Sequence, residues 1–436
     1  MANKRYVYWG TIGLGLGLAL GIGLVSMEPV AGPQKAEKRL VAPTFKVDPF
    51  WPKPLPDNWV TGEPGGTCID SQNHLIIVTR GFQTGGLASP EGVGGADTNT
   101  GTLGGAFKSK ASPPVIEFDT EGNVAHAWGD PSLVPAGQPN AGQNAVLPHG
   151  IHGCFVDYED NVWIGGNADG VVQKWSHDGS TKLLQIGTKF TCDNPPTMAC
   201  SGDSAFEGSS QTLLHRPADI AVDPNPDPVT GERGSVYVAD GYGNHRVAVF
   251  DRRGKYLRQM GGVGTGPGQF APGGGGHPHC VVIGKNGLVY ACDRANDRVN
   301  VYQRNGTFVR SIPVVPGTGN PGIGTAGSAW DVDFSPDREQ TFMYESDGGN
   351  EIMWIFDHRA ALLGQKAILG GFGRPGHMPG EFTFLHMMAI DSSGNLYVGE
   401  TVGGRRVQKF VNCGRDKDDD RGRGNGRGPR GCGDDD

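Results

Sequence analysis

The chain has 436 residues, of which 73 are glycine and 31 are proline, and only 19% of its residues are charged. This composition disfavours long helices, because glycine and proline both break them, and it favours many strands joined by tight turns. The net charge is −8 and no long basic segment occurs before the C-terminal tail, so we expect no nucleic-acid partner. The length fits one large β domain or two ordinary ones.

Residues 1–33 form an N-terminal segment with two interpretations. Lys4 and Arg5 precede an uncharged run, residues 6–27, which as a helix is long enough to cross a hydrocarbon core of about 30 Å. The flanking positive charges predict a cytoplasmic N-terminus, with everything after the run exported. The rival interpretation is a cleaved signal peptide, and the sequence leaves both open. In either case we expect an exported protein on the periplasmic or extracellular face, anchored in the membrane if the segment stays attached.

The eight cysteines suit an exported protein, because oxidising compartments permit disulfides. Cys192 and Cys200 bracket a short loop and are the first predicted pair. Cys413 and Cys432 bracket the tail and are the second. No C-x-x-C occurs, so the sequence gives no support for a zinc ribbon or a thioredoxin-like redox site.

An internal repeat follows the N-terminal segment. Each copy contains an apolar strand, a turn, a second strand, and a third strand that ends in an aromatic residue. The six copies lie at residues 63–81 with 113–118, 151–175, 216–250, 277–302, 327–356 and 384–410. Alternating β-branched and aromatic residues predict strands, and the segment after a copy supplies a fourth strand. Six such units predict an all-β fold, a six-bladed β-propeller.

The last copy supplies only about three strands. The early segment PTFKVDPF, residues 43–50, is predicted to add the missing outer strand and to close the ring, which removes an open sheet edge. We therefore place the propeller at residues 34–411. Residues 412–436 contain almost no apolar side chains and predict a disordered, charged tail.

A histidine occupies one register in three alternate copies. His152, His279 and His386 each precede an aromatic residue of the next strand by eleven positions. Innermost propeller strands begin at one mouth of the central channel, so these side chains approach three-fold symmetry about the axis. Three converging imidazoles predict an open metal site, most naturally for zinc. The other three copies place poor metal ligands at this register: Gly65, Ala218 and Trp330.

Polar groups at the ends of the second strands predict the remainder of the site. Arg80 ends the second strand of the first copy, Tyr242 follows that of the third, and Arg294 follows that of the fourth. Two guanidiniums predict a clamp for a carboxylate, and a tyrosine beside a cation predicts a general base. A structural role within its own blade is the alternative for each residue. His149 misses the histidine register but remains an alternative ligand.

The pattern resembles peptidyl-α-hydroxyglycine α-amidating lyase and the wider group of NHL-repeat propellers over about residues 44–411. The specific elements are HG…VD…NVW, DGYGNHRV, PH…CDRAND and the last histidine before AID…GNLY. The resemblance implies an NHL-type propeller in which the three histidines hold zinc. It also implies that Tyr242 is catalytic and that Arg80 and Arg294 contact substrate. The implied reaction splits a carbinolamide, R-CO-NH-CH(OH)-COOH, into a primary amide and glyoxylate.

The chain departs from this family at two points. The family places an aspartate beside a structural calcium directly after the third histidine, and here that residue is Met387, which puts calcium in doubt. No copper monooxygenase segment accompanies the propeller in this sequence. We therefore expect either a peptide or another small carboxylate-bearing substrate.

Two classes of function remain open from the sequence. The first is a zinc-dependent lyase, which the combination of Tyr242 with both arginines favours. The second is a non-catalytic NHL propeller that binds a protein partner or scaffolds a membrane complex. A lactonase-like hydrolase ranks last, because no acidic residue occupies the aligned inner positions.

Overall fold

The computed structural model describes residues 40–81, 110–129, 147–193, 200, 208–273, 275–318, 327–414 and 432. These residues all belong to the unit of the chain that begins at Leu40. The predicted membrane or signal segment lies outside the described residues, as does nearly all of the predicted disordered tail. Within the described part, no helix is long and apolar enough to cross a bilayer.

Strands dominate these residues and are numbered in chain order. Two precede the blades: β1 (Thr44–Asp48) and β2 (Trp59–Val60). Blade 1 and its insertion contain β3 (Pro64–Ile69), β4 (Leu75–Thr79), β5 (Lys110–Ala111), β6 (Val115–Phe118) and β7 (Val124–Trp128). Blade 2 contains β8 (Ile151–Val156), β9 (Val162–Gly166), β10 (Val171–Trp175) and β11 (Lys182–Ile186). Blade 3 contains β12 (Asp219–Asp223), β13 (Ser235–Asp240), β14 (Arg246–Phe250) and β15 (Tyr256–Gly261).

The second half of the ring repeats this arrangement. Blade 4 contains β16 (Val281–Ile283), β17 (Leu288–Asp293), β18 (Arg298–Gln303) and β19 (Phe308–Pro313). Blade 5 contains β20 (Asp331–Phe334), β21 (Phe342–Asp347), β22 (Ile352–Asp357) and β23 (Ile368–Phe372). Blade 6 contains β24 (Leu385–Ile390), β25 (Leu396–Glu400) and β26 (Arg406–Gly414). Among the described residues, the helices are the 3-10 turns Pro56–Asn58 and Arg294–Asn296 and the short α1 (His358–Leu363).

The six sheets form a closed ring, which confirms the predicted six-bladed β-propeller. Each blade is a four-stranded antiparallel sheet. The first strands β3, β8, β12, β16, β20 and β24 contact one another in that order, and β24 contacts β3. Six innermost strands therefore surround one central channel.

The ring closes in blade 6, as the sequence predicts. β1 pairs antiparallel with β26 and supplies the outer strand of that blade. Blade 1 likewise takes its third strand, β6, from beyond the glycine-rich insertion. β26 extends to Gly414, so the closing strand runs slightly past the predicted domain end at residue 411.

Aspartates at strand ends fix the hairpin turns. Asp157 Oδ1 accepts hydrogen bonds of 3.0 Å from the backbone N–H groups of both Glu159 and Asn161. Such short carboxylates satisfy the amides of a tight turn. The same two contacts recur at Asp70, Asp251 and Asp391. The aspartate turns of blades 2 and 6 therefore have the same length, and the blade 4 turn, where Asn286 Oδ1 accepts from the Leu288 N–H, keeps the same eleven-residue spacing.

The aromatic residues at the end of that spacing belong to the core between blades. Trp163, Tyr290 and Tyr397 are all buried, with at most 1% of their surface exposed. Trp163 Nε1 donates a 2.9 Å hydrogen bond to the turn residue Asp157. The register that identifies the histidines is thus maintained by a packed ring that also contacts the turn.

Four disulfides join all eight cysteines. The predicted pairs Cys192–Cys200 and Cys413–Cys432 are confirmed. The sequence did not suggest the other two, which are Cys68–Cys154, joining β3 to β8 across two blades, and Cys280–Cys292, inside blade 4. Four disulfides are typical of a protein exported to an oxidising environment.

Candidate metal centre

Local irregularities in the innermost strands turn the histidines of blades 2 and 6 toward the axis. The pairing of β8 with β9 shifts by one residue between Ile151 and Cys154, beside His152. The pairing of β24 with β25 shifts in the same way between Leu385 and Met388, beside His386. An extra residue of this kind re-aims a side chain. In a regular strand, side chains alternate between the two faces of the sheet, and the extra residue changes this alternation at His152 and His386.

The structure brings His152, His279 and His386 together at the channel mouth. Their ring centroids are 4.8 to 5.0 Å apart and the ring planes are steeply inclined to one another. One nitrogen from each ring lies within 4.8 Å of one nitrogen from each of the others. In a tetrahedral zinc site with bonds of about 2.0–2.1 Å, the ligand nitrogens are roughly 3.4 Å apart. A small closure of the three rings would reach that geometry.

Backbone carbonyls from the neighbouring blades orient two of the rings. His152 Nδ1 donates a 2.7 Å hydrogen bond to the carbonyl oxygen of Ala218, and His279 Nδ1 donates one of 2.8 Å to that of Trp330. A carbonyl oxygen can only accept, so both rings carry their proton on Nδ1 and direct the Nε2 lone pair toward the cluster. His279 Nε2 is buried without a hydrogen-bond partner among the described residues.

Burial lowers the pKa of all three histidines well below the ordinary value, and the positive charge of Arg294 lowers each pKa further. Arg80 contributes in the same direction at His152 and His386. The Nδ1 of His386 lies outside hydrogen-bonding geometry, although the nearby backbone of Gly65 acts to raise its pKa. Near pH 7 the imidazoles are therefore neutral, which is the form that binds metal. The residues present fit a zinc ion.

Tyr242 contacts the histidine cluster directly. Its hydroxyl oxygen lies 3.1 Å from His152 Nε2, the nitrogen that faces the cluster. Its ring is also 5.9 Å from the ring of His279. Arg294 and Arg216 place their guanidinium carbons 5.6 Å and 5.3 Å from the tyrosine ring. The phenol ring thus lies near two cations, and its oxygen lies beside a nitrogen that could bind a metal.

The two predicted arginines approach the cluster from different blades. Arg294 is fully buried, and its guanidinium carbon lies 4.4 Å from the ring of Trp330. Arg80 Nε donates a 2.7 Å hydrogen bond to the carbonyl of Ile151, the residue before His152. Glu63 accepts from Arg80 Nη1 at 3.4 Å. Both guanidiniums therefore lie close enough to the candidate centre to receive an anionic group of a ligand.

Three residues around the centre were not singled out as functional from the sequence. Trp330 lies with its ring between Arg294 and the histidines, 5.8 Å from His279. Arg216 stacks on Tyr242, and Arg405 donates to Glu63 at 3.2 Å. The sequence alignment could have pointed to Arg216, because it precedes Ala218 by two positions, just as His277 precedes His279. Arg405 gave no such signal, because its contact joins the last blade to the first.

Two other histidines near the mouth lie outside the cluster. His149, the alternative ligand, is half-buried, and its ring centroid lies 6.0 Å from that of Phe190. His277 is buried and stacks on His245 with a centroid separation of 6.3 Å. Neither joins the group of closely spaced nitrogens among the described residues.

A glycine allows the chain to pass close above the site. Gly276 has a φ of +78°, and a Cβ added there would lie 2.9 Å from His279 and 3.0 Å from the ring of Tyr242. Positive φ and the absence of a side chain are both properties of glycine. This backbone therefore covers the contact between the tyrosine and the histidine without displacing either.

The channel below the histidines contains buried carboxyl groups. Asp219 and Asp331 line a cavity of about 240 Å³ together with Met387, the residue after the third histidine. Burial raises the pKa of Asp219 to about 7 and that of Asp331 well above its ordinary value. They follow the register positions Ala218 and Trp330 by one residue, so an alignment of the register positions alone missed them.

The fold and the site define a class: a six-bladed β-propeller, consistent with an NHL propeller, with a candidate three-histidine metal centre at one mouth of its channel. Homologues of the chain include peptidyl-α-hydroxyglycine α-amidating lyases and NHL repeat proteins. No family model matches the chain.

The chain is 26% identical over 269 residues to peptidyl-glycine α-amidating monooxygenase B of Xenopus laevis, covering 58% of this chain and 24% of that protein. It is 27% identical over 283 residues to peptidyl-α-hydroxyglycine α-amidating lyase 1 of Drosophila melanogaster, covering 60% and 44%. It is 23% identical over 382 residues to NHL repeat-containing protein 3 of Homo sapiens, covering 84% of both. Among solved structures it is similar to streptogramin B lyase, with a TM-score of 0.45 and 11% identity over 84% of this chain and 98% of that one. The chain thus spans about a quarter of the length of the frog monooxygenase.

Proposed function

We propose that this protein is a zinc-dependent lyase that cleaves a carbinolamide, R-CO-NH-CH(OH)-COO⁻, into a primary amide and glyoxylate. The observation that carries the proposal is the 3.1 Å contact between the hydroxyl of Tyr242 and His152 Nε2. It places an acid–base group beside the atoms that would bind the metal. The names of the frog and fly relatives support this substrate class.

His152, His279 and His386 would hold the ion, and their Nδ1 atoms would remain directed at the neighbouring backbone. Zinc bound there would polarise the substrate hydroxyl. Tyr242 would act as a phenolate, stabilised by the zinc and by the guanidiniums of Arg216 and Arg294, and would take the substrate hydroxyl proton beside His152 Nε2. Arg294 and Arg80 would bind the substrate carboxylate through their planar guanidiniums.

The proton balance needs no further reactant. When the hydroxyl loses its proton, its oxygen forms the carbonyl of glyoxylate as the carbon–nitrogen bond breaks. The electron pair of that bond stays on the amide nitrogen. Tyr242 then returns the proton to that nitrogen, so one residue serves as base and then as acid. The backbone above Gly276 would limit the access of water during these steps.

We further propose that the enzyme acts on the periplasmic or extracellular face, where the four disulfides are stable. The N-terminal segment would either anchor it in the membrane or be removed as a signal. The substrate would be a peptide or another small molecule that carries the carbinolamide and a carboxylate.

A non-catalytic propeller is the second candidate. The match to NHL repeat-containing protein 3 of Homo sapiens covers 84% of this chain and 84% of that protein. In that case the metal would be structural, and the propeller would bind a protein partner or scaffold a membrane complex. Bound zinc without turnover would favour this function.

The deciding experiment measures metal content and glyoxylate release from an α-hydroxyglycine peptide on the same purified protein. We expect zinc and turnover in the wild type, and in the double variant His152→Gln, His386→Gln the loss of turnover and of the zinc held by the three histidines. His149→Gln is the matched control, because His149 is near the mouth but outside the cluster, and it should retain both. A His152→Gln, His386→Gln variant that still released glyoxylate would overturn the proposal.

A further inference from the structure

A second group of side chains that could bind a metal lies between blades 1 and 2, toward the face of the propeller opposite the three histidines. Asp70 and His74 belong to the turn between β3 and β4, and Glu117 lies in β6, so all three belong to blade 1. His177 lies in the turn between β10 and β11 of blade 2. The start of β3 packs on His152, whereas Asp70 follows the end of that six-residue strand. The group is therefore roughly 15–20 Å from the three histidines, the length of such a strand.

The donor atoms of three of these residues converge. One atom each from Asp70, Glu117 and His177 lies within 4.8 Å of the others. Asp70 Oδ2 and His177 Nε2 are 3.3 Å apart. That is close to the separation of about 3.4 Å between two ligand atoms on one tetrahedral zinc ion.

Burial and hydrogen bonding distinguish this group from an ordinary surface ion pair. The side chain of Asp70 is completely buried, and that of Glu117 is only 9% exposed. Asp70 Oδ1 accepts from two backbone N–H groups of its turn, which leaves Oδ2 directed at His177. Neither Asp70 Oδ2 nor His177 Nε2 has a hydrogen-bond partner among the described residues. Asp70 Oδ2 and His177 Nε2 thus lie at ion-pair distance but outside hydrogen-bond geometry. A metal ion between them would satisfy both atoms, because buried charges are normally paired or bound to a metal.

The fourth residue of the group supports the other three. His74 Nδ1 lies 2.6 Å from a carboxylate oxygen of Glu117 and 3.7 Å from Asp70 Oδ2. The 2.6 Å separation is that of a hydrogen bond, too short for two atoms on the same ion. His74 therefore orients the Glu117 carboxylate, as outer-shell groups do at metal sites. The side chains of His74 and His177 are 22% and 28% exposed, which gives an ion a path from solvent.

We propose that Asp70, Glu117 and His177 form a second metal site, which binds a divalent transition ion such as Zn²⁺ and links blade 1 to blade 2. One imidazole with two carboxylates suits zinc, whereas calcium takes oxygen ligands almost exclusively. The site is structural: it lies on the face away from the candidate catalytic residues. It joins the two blades that the disulfide Cys68–Cys154 also connects.

The test counts zinc ions in the full-length protein after saturation with ZnCl₂ and removal of unbound metal. We expect two ions per chain in the wild type, one in Asp70→Asn and one in His177→Gln. Both variants should keep glyoxylate release within about twofold of wild type, because the three-histidine centre is intact. His126→Gln is the matched control, since His126 is a half-buried histidine of blade 1 outside the group, and it should keep two ions.

The outcomes separate this site from the catalytic proposal. A wild-type protein with one ion that is lost only in His152→Gln, His386→Gln would overturn the second site and leave the lyase proposal standing. A wild-type protein with one ion that is lost only in His177→Gln would support the second site and contradict the proposal of a catalytic zinc. His177 lies in a turn with part of its ring exposed, so His177→Gln remains informative if Asp70→Asn does not fold. Two ions retained in His177→Gln would overturn the proposal.

Discussion

His279 donates its Nδ1 proton to the carbonyl oxygen of Trp330 at 2.8 Å, and Trp330 occupies the register of His279 in the next blade. His152 makes the same contact with Ala218 in the blade that follows it. The alternation of histidine and non-histidine copies therefore has a structural consequence. A histidine copy supplies the imidazole, and the next copy supplies the backbone acceptor that fixes its tautomer. This contact uses only the backbone carbonyl, so it can be made by residues as different as Ala218 and Trp330.

Replacing Tyr242 by phenylalanine tests its role as the acid–base group. We expect kcat to fall by about 10²- to 10⁴-fold, the usual contribution of such a group, while the zinc content stays unchanged. The matched control is Tyr237→Phe, a buried tyrosine of the same blade whose hydroxyl donates to the carbonyl of Arg304. The control should turn over normally. Equal losses in both variants would mean that the effect comes from folding of the blade.

Arg294 is expected to bind the substrate carboxylate. In Arg294→Met we predict a KM increase of about 10- to 100-fold, which corresponds to the ~1.5–3 kcal/mol of a hydrogen bond to a charged group. Kinetics with an analogue in which a carboxamide replaces the substrate carboxylate test whether the KM increase comes from the lost contact with that carboxylate. The wild type should strongly prefer the acid, and the variant should lose most of that preference. An unchanged preference would assign the arginine to packing against Trp330.

Gly276 is predicted to be intolerant of a side chain. In Gly276→Ala the added Cβ would meet Tyr242 and His279 at about 3 Å, so we expect weaker zinc retention and at least a tenfold loss of kcat. Gly231→Ala is the control, because Gly231 has a nearly equal φ of +76° with nothing within 4 Å of an added Cβ. That variant should lose only about 1 kcal/mol of stability from the positive φ. Chelator competition measures the zinc retention of Gly276→Ala and Gly231→Ala, and steady-state kinetics measure the kcat of each.

The disulfide between blades should stabilise the fold more than the disulfide within a loop. Cys68–Cys154 closes a segment of 86 residues and Cys192–Cys200 one of 8. Chain entropy predicts about 4–5 kcal/mol for the first and about 2–3 kcal/mol for the second. We expect the paired alanine variant of the first to unfold at a clearly lower denaturant concentration. A larger effect from the short loop would show that strain or unfolded-state structure outweighs chain entropy.

Asp219 makes the stability of the metal-free protein depend on pH. Its pKa is raised to about 7 by burial, so the folded state holds a proton that the unfolded state releases near pH 4. The stabilisation is complete below pH 4 and is lost as the pH rises toward 7 and beyond. Asp219→Asn should therefore gain stability relative to wild type between pH 5 and pH 8, on the order of 1–3 kcal/mol.

Denaturant unfolding in the presence of a chelator, at pH 5 and at pH 8, measures the difference in stability between Asp219→Asn and the wild type. Asp178→Asn is the control, because the hydrogen bonds of Ser176 and Ser180 lower the pKa of the fully exposed Asp178 to about 2. Between pH 5 and pH 8 the stability of that control should change with pH as the wild type's does, because Asp178 stays ionised throughout this range. A parallel gain in both variants would rule out the channel carboxyl as the cause.

The sequence by itself determined the ring and the rotational placement of its histidines. Alternating apolar residues have a local period of two, and the first hairpins of blades 2, 4 and 6 are equal in length, with the turn aspartates Asp157 and Asp391 in blades 2 and 6. Those two local rules were enough to count six blades, to assign β1 to the closing sheet, and to align the three histidines. The loop disulfide Cys192–Cys200 followed from nearness along the chain.

Only the tertiary structure decided the contacts between blades, because residues far apart in sequence leave no periodic signal when they meet. The bulge that turns His152 inward, the disulfide Cys68–Cys154 and the stacking of Arg216 on Tyr242 are all of this kind. The same holds for Asp70 and His177, whose turns lie in different blades. A repeat specifies each sheet separately, whereas the spacing and tilt of adjacent sheets come from the packing of the core between them.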